Sequence, residues 1–246
     1  MHQRLARLLV SIAVAFVATA SAIAESPPSR YEQTPPTTDG IGKRYMGREI
    51  ARIMGWQGAE WLERAEREQE ERTDLMLPEL RLEPAMSVAD IGAGTGYIAR
   101  RMAKLVGPRG NVYAVDVQPE MIRMLAAMVK RENLPNIKPV LGAVADVRLA
   151  PDSIDLAIMV DVYHELERPY EVMASIVRAL KAGGRLVFVE YKAEDPSIPI
   201  KPLHKMSVEQ VKREAAAHSL EFERVDGKLP WQHIIVFRKV VQSTSK

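Results

Sequence analysis

Val88-Ala89-Asp90-Ile91-Gly92-Ala93-Gly94-Thr95-Gly96-Tyr97 joins a short apolar run to an acid and then to three glycines at alternate positions. An apolar run closed by glycines and followed at once by helical spacing describes a strand that enters a helix through a tight loop. In an open α/β sheet, the crevice outside such a junction is where a ligand settles. A dinucleotide-binding loop would read Gly-x-Gly-x-x-Gly, whereas this one reads Gly-x-Gly-x-Gly, with Tyr97 where that fingerprint has its third glycine. Asp90 shifts the chemistry further. A carboxylate beside the loop repels a pyrophosphate and attracts an ammonium, by about 4 kcal/mol for an unscreened pair roughly 4 Å apart at an effective dielectric near 20. The ligand expected here carries a cation.

Outward from this loop, strand-like and helix-like periods alternate, the mark of βαβ units and a parallel sheet. Strands are expected near Ser87 to Ile91, Asn111 to Val117, Ile137 to Leu141, Ile154 to Val160 and Gly184 to Glu190. Helices are expected near Tyr97 to Leu105, Pro119 to Glu132, Pro169 to Leu180 and Ser207 to Ser219. Pro119 suits a first helical turn, and Gly183-Gly184 is expected to end a helix. Two last strands, near Glu221 to Val225 and Ile234 to Arg238, are joined too tightly for a crossover and should pair antiparallel.

Acids stand at three successive strand ends. Asp116 lies twenty residues beyond Gly96, where a carboxylate can accept both hydroxyls of a ribose, a role that fits a nicotinamide cofactor equally well. Asp146 follows strand three, where it can meet an exocyclic adenine amine while Val117 and Ala145 flank the base. Each acid taken singly is also explained as a cap or turn residue.

Val88 to Ala99, Val112 to Ile122, Ile154 to Leu166 and Leu180 to Glu190 together resemble the ordered motifs of class I S-adenosylmethionine-dependent methyltransferases of the small-molecule type. The resemblance covers about Pro78 to Lys239 and implies a Rossmann-like, doubly wound α/β/α domain of three layers. Its seven-stranded sheet would be mostly parallel with an antiparallel last strand. It also implies S-adenosylmethionine as cofactor, held at Asp90, Gly92, Gly94, Gly96, Asp116 and Asp146. Ala93, Tyr97 and Asp161 are taken with these. One departure is Ala182, where the family usually has proline.

Methyl transfer from a sulfonium needs alignment and a dry site, and a base only where the acceptor must lose a proton. Asp161-Val162-Tyr163-His164-Glu165 falls at the rim of the crevice after strand four. His164 is the candidate base and Tyr163 a candidate for packing on the sulfonium side, although His164 could equally cap or pack a helix. Candidates for contact with the acceptor are Glu190, Tyr191 and His204, together with Trp56, which the flanking Gly55 and Gly58 could lay over a pocket. No metal site is expected, because Asp161 and His164 supply two possible ligands and no third is evident.

The N-terminus supplies a different kind of signal. A basic start, an apolar run from Leu8 to Ala20 and Ala22-Ile23-Ala24 match a cleaved secretory signal over 1–24, so the mature chain is expected in the periplasm or medium. The alternative is an inner-membrane anchor, since Leu8 to Ala24 is uncharged and marginally long enough to span. Residues 25–44, rich in Pro, Ser and Thr, are expected to be a disordered linker, 45–82 a helical segment, 83–240 the methyltransferase domain and 241–246 a tail. Within 45–82, the charged run Glu60 to Arg72 is expected to be a solvated helix face. Formal charge is +2, with Arg4 and Arg7 in the signal, so the body is neutral and nucleic acid is not an expected partner. Cysteine is absent, which removes thiol nucleophiles and the thiol chemistry of arsenite methylation. The leading expectation is a methyltransferase acting on a small-molecule acceptor. Two others stand beside it: an exported nucleoside-binding module without turnover, and a nicotinamide-dependent oxidoreductase. Membrane contact is expected only if the signal stays uncleaved, and the sequence leaves the oligomeric state open.

Overall fold

A computed structural model describes residues 29–241, and the body begins at Tyr31. The expected signal, residues 25–28 of the expected linker and all but Val241 of the tail lie outside the described residues.

Seven strands form the central sheet: β4 (Ser87–Ile91), β5 (Asn111–Asp116), β6 (Ile137–Leu141), β7 (Ile154–Val160), β8 (Leu180–Tyr191), β9 (Leu220–Asp226) and β10 (Gln232–Lys239). Their spatial order is β6-β5-β4-β7-β8-β10-β9, and β10 runs antiparallel to both its neighbours while the β6-to-β8 pairings are parallel. The strand order reverses between β4 and β7, which places the ligand crevice at the carboxyl end of β4. One face of the sheet packs Met102, Leu125 and Met128 of α4 (Ala99–Val106) and α5 (Pro119–Glu132). The other packs Met173, Ile176, Val211 and Ala215 of α6 (Pro169–Ala179) and α7 (Val208–Ala215). A sheet buried on both faces explains why Leu156 to Val160 of β7 and Leu186 to Val189 of β8 read as continuous apolar runs with no alternation.

Gly183-Gly184 does not end a helix. Helix α6 stops at Ala179 and β8 starts at Leu180, with the register against β7 slipping between Ile154↔Leu180 and Leu156↔Arg185. The glycines therefore sit in a bulge inside the strand.

Upstream of the sheet, two expectations are corrected. Part of the stretch expected to be a disordered linker is ordered: β1 (Glu32–Gln33) and β2 (Gly40–Tyr45) pair, and β2 pairs in turn with β3 (Arg48–Ala51). Met46 and Gly47, both at positive φ, close the β2–β3 hairpin in two residues, the backbone such a turn needs. Buried Glu49 ties the three-stranded unit together by accepting the N–H groups of Thr37 and Gly42 at 3.1 and 3.0 Å. The segment expected to be helical is thus a strand as far as Ala51. Beyond it come only short helices, α1 (Ala59–Leu62), α2 (Arg67–Glu71) and α3 (Thr73–Glu79), with Arg72 in the left-handed region separating the last two.

Candidate functional site

At the carboxyl end of β4 lies a cavity of about 670 Å³, a size typical of small-molecule sites. Asp90, Gly92, Ala93, Gly94, Tyr97, Asp116, Val117, Asp146 and Asp161 all stand on its wall. The loop after β4 holds Gly92, Gly94 and Gly96 at positive φ. Gly94 donates its N–H to Asp116 Oδ2 at 3.0 Å, and Gln118 donates to Oδ1 at 2.9 Å, so the acid at the end of β5 anchors the loop. Gly96 serves packing: a Cβ there would lie 2.4 Å from Met128 Cε and 2.8 Å from Leu125 Cδ2. It lets α5 approach the loop and is not part of the wall.

Asp90 is buried, and its Oδ2 has no hydrogen-bond partner among the described residues. Burial pushes its carboxyl up to about 7, against the pull of the Arg67 guanidinium, with Asp116 adding to the rise. Asp116 is raised by burial despite the N–H groups of Gln118 and Gly94. Asp161, at φ 54°, is also raised by burial and by Glu71 and Glu190; its Oδ2 accepts from Gln232 Nε2 at 3.0 Å, while Oδ1 has no partner among the described residues. Asp146 is held low: burial opposes this, but the Arg148 N–H and the Arg178 guanidinium at 2.9 Å prevail.

The charged run that read as a solvated face contributes two buried residues to this wall. Arg67 lies over the Tyr97 ring at 4.2 Å and donates to Glu71 Oε2 at 2.8 Å, and Glu71 also meets Arg64 at 2.8 Å. Pairing of opposite charges is what allows burial there. Trp56 is corrected too. It lies outside the wall, its backbone N–H donated to Gln118 Oε1, while Trp61, Leu62, Ile53 and Met54 line the cavity. Ala145 sits in the turn after β6 and is not on the wall; its neighbour Val144, an exposed apolar side chain, is.

His164 belongs to a 3-10 turn, Tyr163–Glu165, after β7 and is 2% exposed, yet it reaches the wall. Glu190 is wholly buried behind it. Oε2 lies 2.6 Å from His164 Nδ1, and Oε1 accepts the N–H groups of Val162 and Tyr163 at 3.2 and 2.7 Å. Glu190 is therefore corrected from an acceptor contact to the residue that orients His164. Tyr163 is corrected from the catalytic set: it packs in the core, and its hydroxyl donates to Glu214 Oε2 at 2.7 Å beside Arg48. Tyr191 and His204 reach the wall, with the Tyr191 hydroxyl donating to Glu71 at 3.3 Å and its acidity weakened by burial. His204 comes from a second 3-10 turn, Pro202–His204, and its Nδ1 lies 3.2 Å from His164 Nε2 and 3.4 Å from Glu165 Oε1.

The pocket fits S-adenosylmethionine on its own terms: a buried carboxylate with an unpartnered oxygen suits an ammonium, and Asp116 offers a ribose an acceptor on a wall that also carries apolar Val117 and Val144.

Residues 89–188 match the model of a methyltransferase domain. An arsenite methyltransferase of Halobacterium salinarum is 31% identical over 103 residues, 42% of this chain and 26% of that protein. A ubiquinone/menaquinone biosynthesis C-methyltransferase of Pseudomonas putida is 27% identical over 157 residues, 63% of this chain and 57% of that protein. The chain thus spans less than two thirds of the length of either. A solved structure, an S-adenosylmethionine-dependent methyltransferase from Aquifex aeolicus, superposes with a TM-score of 0.72 at 23% identity, covering 76% of this chain and 100% of that one. The chain therefore has the seven-stranded methyltransferase fold, and its residues 89–188 are similar to a methyltransferase domain, a likeness that implies S-adenosylmethionine as cofactor.

Proposed function

We propose that the protein transfers a methyl group from S-adenosylmethionine to a small-molecule acceptor that sits between the loop after β4 and His164. The observation that carries this reading is the unpartnered Asp90 oxygen on one wall of a cavity whose other wall presents His164, oriented by Glu190. When bound, the cofactor supplies an electrophilic methyl group on a sulfonium. Asp90 takes its ammonium, and Arg67, a guanidinium with donors beyond those engaged by Glu71 and Leu62, takes its carboxylate. Asp116 takes the ribose. The apolar cover of Trp61, Leu62, Ile53 and Met54 keeps water from the reacting atoms and favours a compact acceptor. With its proton held on Nδ1 by Glu190, His164 offers Nε2 to the acceptor's hydrogen. Arsenite is a poor acceptor for a chain without cysteine.

Titration with cofactor, followed by a panel of hydroxyl, amine and activated-carbon acceptors, tests the reading. Tight cofactor binding and turnover on one class support it; binding without turnover on any class refutes it. His164→Ala is expected to lower turnover far more than cofactor affinity, and unchanged turnover removes His164 from the chemistry. For the compartment, the order of basic start, apolar run and Ala22-Ile23-Ala24 supports export with cleavage after Ala24, which N-terminal sequencing of the mature protein tests.

A further inference from the structure

We infer that His164, Glu165 and His204 form a binding site for a divalent transition-metal ion on the acceptor side of the cavity. The two 3-10 turns that carry them are packed under β3, and all three residues reach the cavity wall. His164 Nε2 lies 3.2 Å from His204 Nδ1 and 3.9 Å from Glu165 Oε1, and the last two atoms are 3.4 Å apart. A circle through these three atoms has a radius of about 2.0 Å, so a single point close to their plane is at zinc–nitrogen and zinc–oxygen bonding distance from all of them.

Two further contacts favour an ion over a simple imidazole pair. Glu190, wholly buried, holds His164 Nδ1 at 2.6 Å and leaves the Nε2 lone pair directed at the cluster. A carboxylate behind a histidine is the arrangement that fixes the tautomer of a metal-ligating imidazole and raises its basicity. The Met54 N–H, donated to Glu165 Oε1 at 3.2 Å, fixes the third ligand. Two imidazoles and one carboxylate, with the remaining positions open to the cavity, suit zinc or iron(II) and not the all-oxygen preferences of magnesium or calcium.

The use of such an ion rests on the methyl-transfer reading. An acceptor hydroxyl would lose its proton to solvent on binding the ion. Its O–CH3 bond would then form as the sulfonium S–CH3 bond breaks and that electron pair returns to sulfur. With the ion in place, His164 is a ligand and no longer takes the acceptor's hydrogen itself.

Zinc titration of the full, untagged chain by calorimetry, without cofactor, tests the site, with the visible spectrum of the cobalt(II) form as a second readout. One ion per chain is expected. Glu165→Gln and His204→Ala should each weaken zinc binding tenfold or more while S-adenosylmethionine affinity, which also reports folding, is retained. His233→Ala, on β10 with its Nε2 engaged by Glu194 at 2.9 Å and outside the cluster, should leave zinc binding unchanged. Absence of zinc binding at micromolar concentration, or equal binding by all three variants and the parent, overturns the site. Zinc binding that follows this pattern in a protein that binds no S-adenosylmethionine upholds the site and refutes the methyl-transfer reading.

Discussion

Lowering the pH from 7.5 to 6.0 should weaken S-adenosylmethionine binding roughly eightfold, and the cause is one side chain. Asp90 in the empty protein titrates at about 7, because burial disfavours its charge and Arg67 only partly compensates. A bound ammonium favours the ionised carboxylate, so binding lowers its pKa and releases a proton. Affinity is then highest between about 7 and roughly 8, where the cofactor's own α-ammonium deprotonates, and falls by up to tenfold per pH unit below about 7 until the bound-state pKa is reached. Calorimetry in two buffers of different ionisation enthalpy reads both the affinity and the released proton, about half a proton per cofactor at pH 7. Asp90→Asn removes the charge and should flatten the profile at a uniformly weaker affinity. The same variant tests the cost of burial. A carboxyl raised from 3.8 to about 7 contributes stability that is full below 3.8 and lost as pH rises through 7, on the order of 4 kcal/mol as a ceiling. Asp90→Asn should therefore raise the Tm of the empty protein at pH 8. A flat profile in the parent protein, or an identical slope in Asp90→Asn, refutes this reasoning.

Asp116→Ala is expected to cost about 1 to 3 kcal/mol of cofactor affinity, since a charged hydrogen-bond partner of the ribose is lost. S-adenosylhomocysteine, which lacks the sulfonium charge, should lose as much; a loss confined to the sulfonium form would deny the ribose role. Tyr163→Phe removes a buried 2.7 Å hydrogen bond to Glu214, which keeps Arg48 as partner, and should cost about 1 kcal/mol in denaturant unfolding with turnover preserved. A collapse of turnover at unchanged stability would return Tyr163 to the chemistry.

Where the determinants are local, the sequence is a sufficient guide. The bounds of β4, β6, β7 and α5 coincide with their patterns; for β4 and β7, buried on both faces, and for α5, opened by Pro119, the marks lie within a few residues. The three strand-end acids stand where the spacing puts them, and all reach the cavity. What escapes is nonlocal. Prolines and threonines before Gly40 look too polar to order, yet Glu49 collects the N–H groups of Thr37 and Gly42 into a sheet. The two-residue Met46-Gly47 turn between Tyr45 and Arg48 was the one visible sign of that hairpin. Arg67 and Glu71 are buried by pairing with each other, which a charge pattern cannot distinguish from solvation. Glu190, an acid closing the apolar run Leu186 to Val189, was legible as a strand-end residue, but its partner His164 is 26 positions away. Likewise His204 meets Glu165 and His164 only because two separate turns fold under β3.

A crystal structure of the protein with S-adenosylmethionine tests the central assignment most directly. It should show the ammonium within hydrogen-bonding distance of Asp90 Oδ2, the ribose hydroxyls on Asp116 and the base between Val117 and Val144. A cofactor bound elsewhere, or a diphosphate lying over Gly92 and Gly94, would contradict it.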